Sequence, residues 1–311
     1  MSGHPALAAG NTAVITGGAS GIGLACAKRF ASLGLAVCIA DRGAERLERA
    51  AAEVAAAGTT GADGVFAIEV DVRRRAELER LEREVRERFG GADVLMNNAA
   101  IGGESRVLGP GGPWQDILET NLWGVIHGSQ VFAPAMIARG REGVIVNTGS
   151  KQGITTPPGN PAYNVAKAGV KSFTEALAHE LRNVPGCRIR AHLLIPGFVF
   201  TGMTRGRGGD KPAAAWTPDQ LADFFFQRLE AGDFYILCPD NDVPRELDER
   251  RILWAAGDIV ENRRRCRAGI RIMRRRSRSL SRDVGSKVSR EGAVEYERAG
   301  CEIGIPKLIS D

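Results

Sequence analysis

A short β-branched and apolar run at residues 12–16 passes directly into Gly17-Gly18-Ala19-Ser20-Gly21-Ile22-Gly23, and then into an Ala-rich stretch that reads as helical to Leu33. A strand that turns on closely spaced glycines straight into a helix brings main-chain N–H groups and a helix N-terminus to one place, where they can meet a pyrophosphate. The glycines let the backbone approach the phosphates and let helix and strand pack closely. The spacing is Gly-x-x-x-Gly-x-Gly rather than the commoner Gly-x-Gly-x-x-Gly. A glycine-rich turn alone is also compatible with an ordinary surface turn; the flanking strand and helix favour a nucleotide site.

The same alternation continues along the chain. Further strands are expected at residues 35–40, 64–70, 93–96, 144–147, 189–195 and 234–238, and helices at 44–57, 73–89, 114–139, 160–182 and 243–261. The helix at 73–89 sets Leu78, Leu81, Val85 and Phe89 on one face, with its charges on a solvated one. Strand and helix in turn predict an α/β fold: one doubly wound parallel sheet with helices on both faces and the ligand at the carboxyl ends of the strands. The segment at 202–212 is Gly- and Arg-rich and reads as part of a mobile lid spanning about 202–230.

Asp41 ends the second strand, where a carboxylate can accept hydrogen bonds from both hydroxyls of an adenosine ribose and repel a 2′-phosphate. That favours NAD over NADP. Arg42 complicates the choice, because a guanidinium can bind the phosphate. The competing reading makes Asp41 the N-cap of the next helix.

Tyr163 and Lys167 stand at i and i+4 of an expected helix and so share a face. An ammonium beside a phenol favours the phenolate, which lets the pair exchange protons nearer neutral pH. Ser150, just past the fifth strand, can donate a hydrogen bond to the same substrate oxygen. An exposed Tyr and Lys without a role is the alternative on these residues alone.

The chain has 311 residues, room for one large α/β domain with additions. Its first apolar run is too short for a signal peptide, and no window of about eighteen apolar residues offers a membrane span. Six cysteines lie scattered with no Cys-x-x-Cys pair, which speaks against a zinc site or disulfide framework and fits a reducing cytoplasm. The net charge of +5 is unevenly held: from Asn262 onward there are 14 Lys/Arg against 6 Asp/Glu, leaving 28 against 31 in the body.

Together these residues resemble the short-chain dehydrogenase/reductase family, from Thr12 to Thr201 and more loosely to about Asn262. Gly17, Gly21 and Gly23, with Ser20 and Ile22 between them, fit its glycine motif, and Asp71-Val72 its adenine-ring position. Asn97-Asn98-Ala99-Ala100 is similar to its Asn-Asn-Ala-Gly motif, with Ala100 in place of glycine; Gly149 stands where the family often has Ser. Asn121, Ser150, Tyr163 and Lys167 fit its catalytic tetrad, and Pro196, Gly197, Val199 and Thr201 lie in the segment that holds the nicotinamide carboxamide. The resemblance implies a single Rossmann-type domain over residues 1–262. It also implies a hydride transferred between NAD(H), less readily NADP(H), and a secondary alcohol or ketone, without a metal. Tyr163 would be the general acid/base, and Lys167 would lower its pKa and bind the nicotinamide ribose. Ser150 would polarise the substrate oxygen, and Asn121 would hold a water linking Lys167 to solvent. A homotetramer or homodimer is implied through the helices carrying Asn121 and Tyr163. Phe198, Phe200, Met203, Trp216 and Phe224 to Phe226 read either as an apolar wall over the substrate or as packing for the lid.

Ten arginines fall between Arg263 and Arg282 with no clear core face. The tail, 263–311, reads as a disordered basic extension, as a nucleic-acid or membrane-surface segment, or as a frameshift product. The second reading lacks interleaved aromatics and ranks lowest. For the third, back-translating residues 264–273 and reading two bases along permits Pro-Leu-Ser-Arg-Trp-His-Pro-Asp-Tyr, which resembles the close of similar chains.

Overall fold

Seven short runs rich in Val, Ile, Leu and Ala form the strands β1 (Thr12–Thr16), β2 (Ala36–Asp41), β3 (Val65–Glu69), β4 (Val94–Asn97), β5 (Gly143–Thr148), β6 (Ile189–Ile195) and β7 (Tyr235–Leu237). They make one parallel sheet in the order β3-β2-β1-β4-β5-β6-β7. The computed structural model describes residues 4–108, 112–204 and 209–263. The Arg-rich tail beyond them, with the three readings given to it above, lies outside the described residues.

Burial on both faces explains the composition of the strands. Ala13, Ile15, Val37, Ile39, Val144 and Val146 turn to one side, against α1 (Gly21–Ser32), α2 (Ala44–Ala57) and α8 (Pro218–Glu230). Val14, Cys38, Leu95 and Ile145 turn to the other, against α3 (Arg75–Phe89), α5 (Gly124–Ala138) and α7 (Pro161–Asn183). The chain steps outward from β1 through β2 to β3 and then crosses back to β4 on the other side of β1, so a crevice opens between β1 and β4 at the carboxyl ends of the strands, where such sheets take their ligands. Among the described residues no helix is long and apolar enough to cross a membrane.

Two expectations need correction. The helix expected at 114–139 is interrupted. It begins as α4 (Trp114–Leu118), widens into a π-helical turn at Glu119–Trp123, and resumes as α5. The lid expected at 202–230 does not extend that far. Its second half is α8, which opens on a capping box between Thr217 and Gln220 and buries Leu221, Phe225, Phe226 and Leu229. Each such side chain contributes roughly 2 kcal/mol of burial, and Phe226 meets Phe30 edge-on at 4.7 Å. Phe225 and Phe226 are therefore core, not a wall over the substrate. Trp216 is likewise held down, paired through its main chain with Phe198 and Phe200.

Candidate active site

The glycine turn is shaped by lack of room. Gly17 has φ +67°, and a Cβ there would stand 2.7 Å from Ala99 Cα; one on Gly23 would stand 2.2 Å from the Gly17 carbonyl oxygen. Asn98 ties the tip of β4 to this turn, its amide donating to the carbonyls of Thr16 and Gly17 at 3.3 Å each. Ser20 caps α1 without any side-chain hydrogen bond, so the first N–H groups of the helix stay open toward the cleft. Ala100 is not among the residues with positive φ, so the alanine replacing glycine carries no backbone strain.

At the tip of β2, Asp41 accepts from Ala19 N–H (3.0 Å) through Oδ2, and from Arg42 N–H (2.7 Å) and Arg46 Nη2 (2.9 Å) through Oδ1. It does not cap α2, whose N-cap is Gly43. Arg42 is mostly exposed, its Nη1 3.9 Å from Asp71 Oδ2. Asp71 is held by Arg73 through Oδ1 and Oδ2 (closest approach 2.6 Å), and that hydrogen bonding keeps its carboxyl below the usual range.

The other end of the cleft is built on β5 and α7. The first turn of α7 is fixed by Asn160, whose side chain accepts from Tyr163 N–H, by Pro161, and by Ser105, which accepts from Ala162 N–H at 3.0 Å. Tyr163 is thus held at the mouth of its helix, partly exposed, and lines the cleft with Ser150. One turn later Lys167 is 2 % exposed; its Nζ donates to the Thr148 carbonyl at 2.7 Å and lies 5.8 Å from the Tyr163 ring centre. Burial pushes the Lys167 pKa down to about 8. Burial also pushes Tyr163 above its ordinary value, and the neighbouring Ser150 hydroxyl opposes this in part. Desolvation thus outweighs any pull of Lys167 on the phenol. Asn121 is fully buried in the π-helical turn and spends its amide on Ile101, accepting from its N–H (2.7 Å) and donating to its carbonyl (2.9 Å). Its side chain is committed to that segment rather than turned to Lys167.

These groups line one cleft of about 600 Å³, within the range of small-ligand sites. It collects Gly17, Ser20, Gly21 and Ile22; Asp41, Arg42, Asp71 and Val72; Asn98 and Ala99; Ser150, Tyr163 and Lys167; and Pro196, Gly197, Val199 and Thr201. Gly23 and Asn121 stand behind its wall. Of the residues offered as an apolar wall, Met203 lines it, lying over Gly102; Ile101 lines it as well, which the sequence reading had missed. Arg46 and Thr148 were also missed, since nothing in their spacing marks a partner for Asp41 or for Lys167.

A family model described as short chain dehydrogenase matches residues 11–211. A 1-deoxy-11-beta-hydroxypentalenate dehydrogenase of Streptomyces exfoliatus is 32% identical over 257 residues, covering 78% of this chain and 88% of the relative. A short chain dehydrogenase/reductase from Burkholderia phymatum, solved in complex with NAD, superposes with a TM-score of 0.74 at 30% identity, covering 83% of this chain and 97% of its own. L-Sorbose reductase from Gluconobacter frateurii, complexed with NADPH and L-sorbose, gives a TM-score of 0.63 at 30% identity, covering 70% and 89%.

Proposed function

Because the chain belongs to the short-chain dehydrogenase family, we propose that it moves a hydride between NAD(H) and a secondary alcohol or ketone of moderate apolarity, with Tyr163 as the proton-transfer group. The observation carrying this reading is that Ser150, Tyr163 and Lys167 line one cleft together with the glycine turn and Asp41.

A nicotinamide dinucleotide fits the residues present. Gly17 and Gly23 let the turn close tightly on Ala99 and on itself, α1 offers uncapped N–H groups, and an acidic side chain stands at the tip of β2. Gly17, Ser20, Gly21 and Ile22 would hold the pyrophosphate, Asp41 and Arg42 the adenosine ribose, and Asp71 and Val72 the adenine. Asn98 and Ala99 would flank the cofactor. Tyr163 and Lys167 would meet the nicotinamide ribose, and Pro196, Gly197, Val199 and Thr201 the carboxamide. When bound, the nicotinamide ring supplies the hydride acceptor or donor and, oxidised, a positive charge.

The chain's own part is the proton. A phenol with a raised pKa is protonated near neutral pH, the form that donates to a ketone oxygen. In the oxidation direction the phenolate takes the proton of the alcohol. A hydrogen bond from Ser150 and the Lys167 charge would favour the phenolate as it forms. A lysine with pKa about 8 stays mostly charged at pH 7 yet releases a proton readily, which suits it to relay. Asn121 holds Ile101, and through it the cleft wall beside the substrate. Ile101 and Met203 favour a substrate with an apolar flank.

Asp41 favours NAD, since its carboxylate repels a 2′-phosphate. A preference for NADPH is the second reading, favoured by Arg46 already neutralising Asp41 and by the exposure of Arg42. A binding protein without activity would have no use for the Ser150–Tyr163–Lys167 arrangement. Trp123 and Val165 are each 49% exposed on the helices of this region, which supports burial against a second copy in a homodimer or homotetramer. Cys26, Cys38 and Cys238 are buried free thiols, consistent with a reducing, cytoplasmic setting.

The test is cofactor-dependent absorbance change across a panel of secondary alcohols and ketones, with NAD(H) and NADP(H) in parallel. Turnover on at least one member, faster with NAD(H), is expected. No turnover and no binding of either cofactor would remove the reading.

A further inference from the structure

Beside Ser150 lies a group of charges that the proton-transfer scheme does not use. Lys151 Nζ is 3.3 Å from Asp240 Oδ2 and 2.6 Å from Asp248 Oδ2, the second an ion pair off the angle of a hydrogen bond. All three side chains are largely buried, and Arg251 adds a second positive charge near Asp248.

The cluster joins segments that are far apart in the chain. Lys151 N–H donates to the Pro196 carbonyl at 3.2 Å, and Asp240 Oδ2 also accepts from Phe198 N–H at 3.1 Å. A Cβ on Gly197 would meet Asp240 Oδ2 at 2.6 Å and Lys151 Nζ at 3.0 Å, so the charges press directly on the loop after β6. Asp248 sits in the first turn of α9 (Arg245–Val260) and is the single fully buried residue of that helix. Leu253, Ile259 and Val260 of α9 are 72–84% exposed, and only Ile252 packs partly on the core. The helix thus meets the rest of the chain through buried Asp248 together with half-buried Leu247, Ile252 and Trp254. A buried ion pair adds little net stability over apolar packing of the same volume, so what this cluster supplies is geometry.

We propose that Lys151 is a positioning residue: with Asp240 and Asp248 it clamps the Ser150 turn and the Pro196–Phe198 loop to the first turn of α9, making the placement of the reacting groups depend on how that helix docks. This rests on the oxidoreductase reading for its effect on turnover, but not for the clamp itself.

The experiment compares the full chain with Lys151→Met and Asp248→Asn. Asp248→Asn keeps shape and removes one of two like charges, so it is the variant that folds if Lys151→Met does not. Three readouts are taken: melting temperature, kcat split from KM on an alcohol the wild type oxidises, and amide hydrogen exchange of peptides spanning residues 149–156 and 196–201. The clamp predicts faster exchange in both peptides for both variants, and a kcat lower by about tenfold or more with alcohol KM nearly unchanged, as misplaced reacting groups require. A purely structural role lowers the melting temperature and leaves kcat of the folded enzyme as it was. Wild-type exchange in both peptides overturns the proposal. If the wild type turns over no substrate, the functional reading fails on its own, and the exchange data still decide the clamp.

Discussion

At the end of the cleft nearest β2, charge is exchanged at the surface. Arg42 and Arg46 are half-exposed or more and meet Asp41 and Asp71 in pairs that water can reach. At the end built on α7, the lysine that lines the cleft is sealed: Lys167 touches a main-chain carbonyl, and burial alone moves its pKa from an ordinary 10.5 to about 8. Exposed pairs contribute at most about 1 kcal/mol each, whereas a shift of this size in a buried group corresponds to about 3 kcal/mol between its charge states. The surface end can thus change its ligand preference cheaply. The sealed end cannot change without disturbing the chemistry.

Substitutions along the cleft should reproduce that gradient. The largest effect belongs to Tyr163→Phe, which removes the proton-transfer group. We expect kcat to fall about 10³-fold, within the span of general acid–base catalysis, while cofactor affinity, read by fluorescence titration, changes little. Turnover that survives the change would place the acid/base elsewhere.

Lys167→Met should lower kcat about hundredfold yet leave the fold sound. The folded pKa lies below the unfolded one, so near neutral pH the wild type bears the burden of burying a charge. That burden lifts as pH rises from about 8 through 10.5. Set against the lost hydrogen bond to the Thr148 carbonyl, the variant should be about 1 kcal/mol more stable at pH 7, with the advantage gone by alkaline pH. Denaturant melts at both pH values test this; a deficit independent of pH would contradict it.

Gly23→Ala forces a methyl to 2.2 Å from a backbone oxygen and 2.7 Å from the Asn98 amide. Stability should drop by about 1–3 kcal/mol, and cofactor affinity should weaken with the turn. Asp41→Ala is expected to have the smallest effect. It should leave kcat near wild type and move the NAD-to-NADP affinity ratio toward NADP by about tenfold, or 1.4 kcal/mol. An unchanged ratio in parallel titrations would take Asp41 out of cofactor choice.

The sequence carried the sheet well because its signals are local. A glycine that must have φ +67° and a strand buried on both faces both leave their mark on composition, and β6 falls at Ile189–Ile195 as its apolar run predicts. Residues 119–123 resemble the helices around them, so nothing local marks the π-helical turn that buries Asn121. The run Phe224 to Phe226 fits a lid or a core equally well until α8 finds Phe30. Contacts made only by folding were invisible. Lys151 and Asp240 are 89 positions apart, and neither residue type forecasts the other. The cleft residues were readable as a set through resemblance, but the direction of the Tyr163 shift was not. A helical register reveals a neighbouring lysine without revealing that burial outweighs it.

The dependence of kcat/KM on pH for alcohol oxidation, measured for the wild type and Tyr163→Phe under identical cofactor saturation, bears most directly on the proton-transfer role given to Tyr163. Wild-type kcat/KM should climb with pH toward the alkaline side, as a phenol with a raised pKa requires, and the variant should show neither the rate nor that climb. The same rate and profile in both proteins would contradict the account.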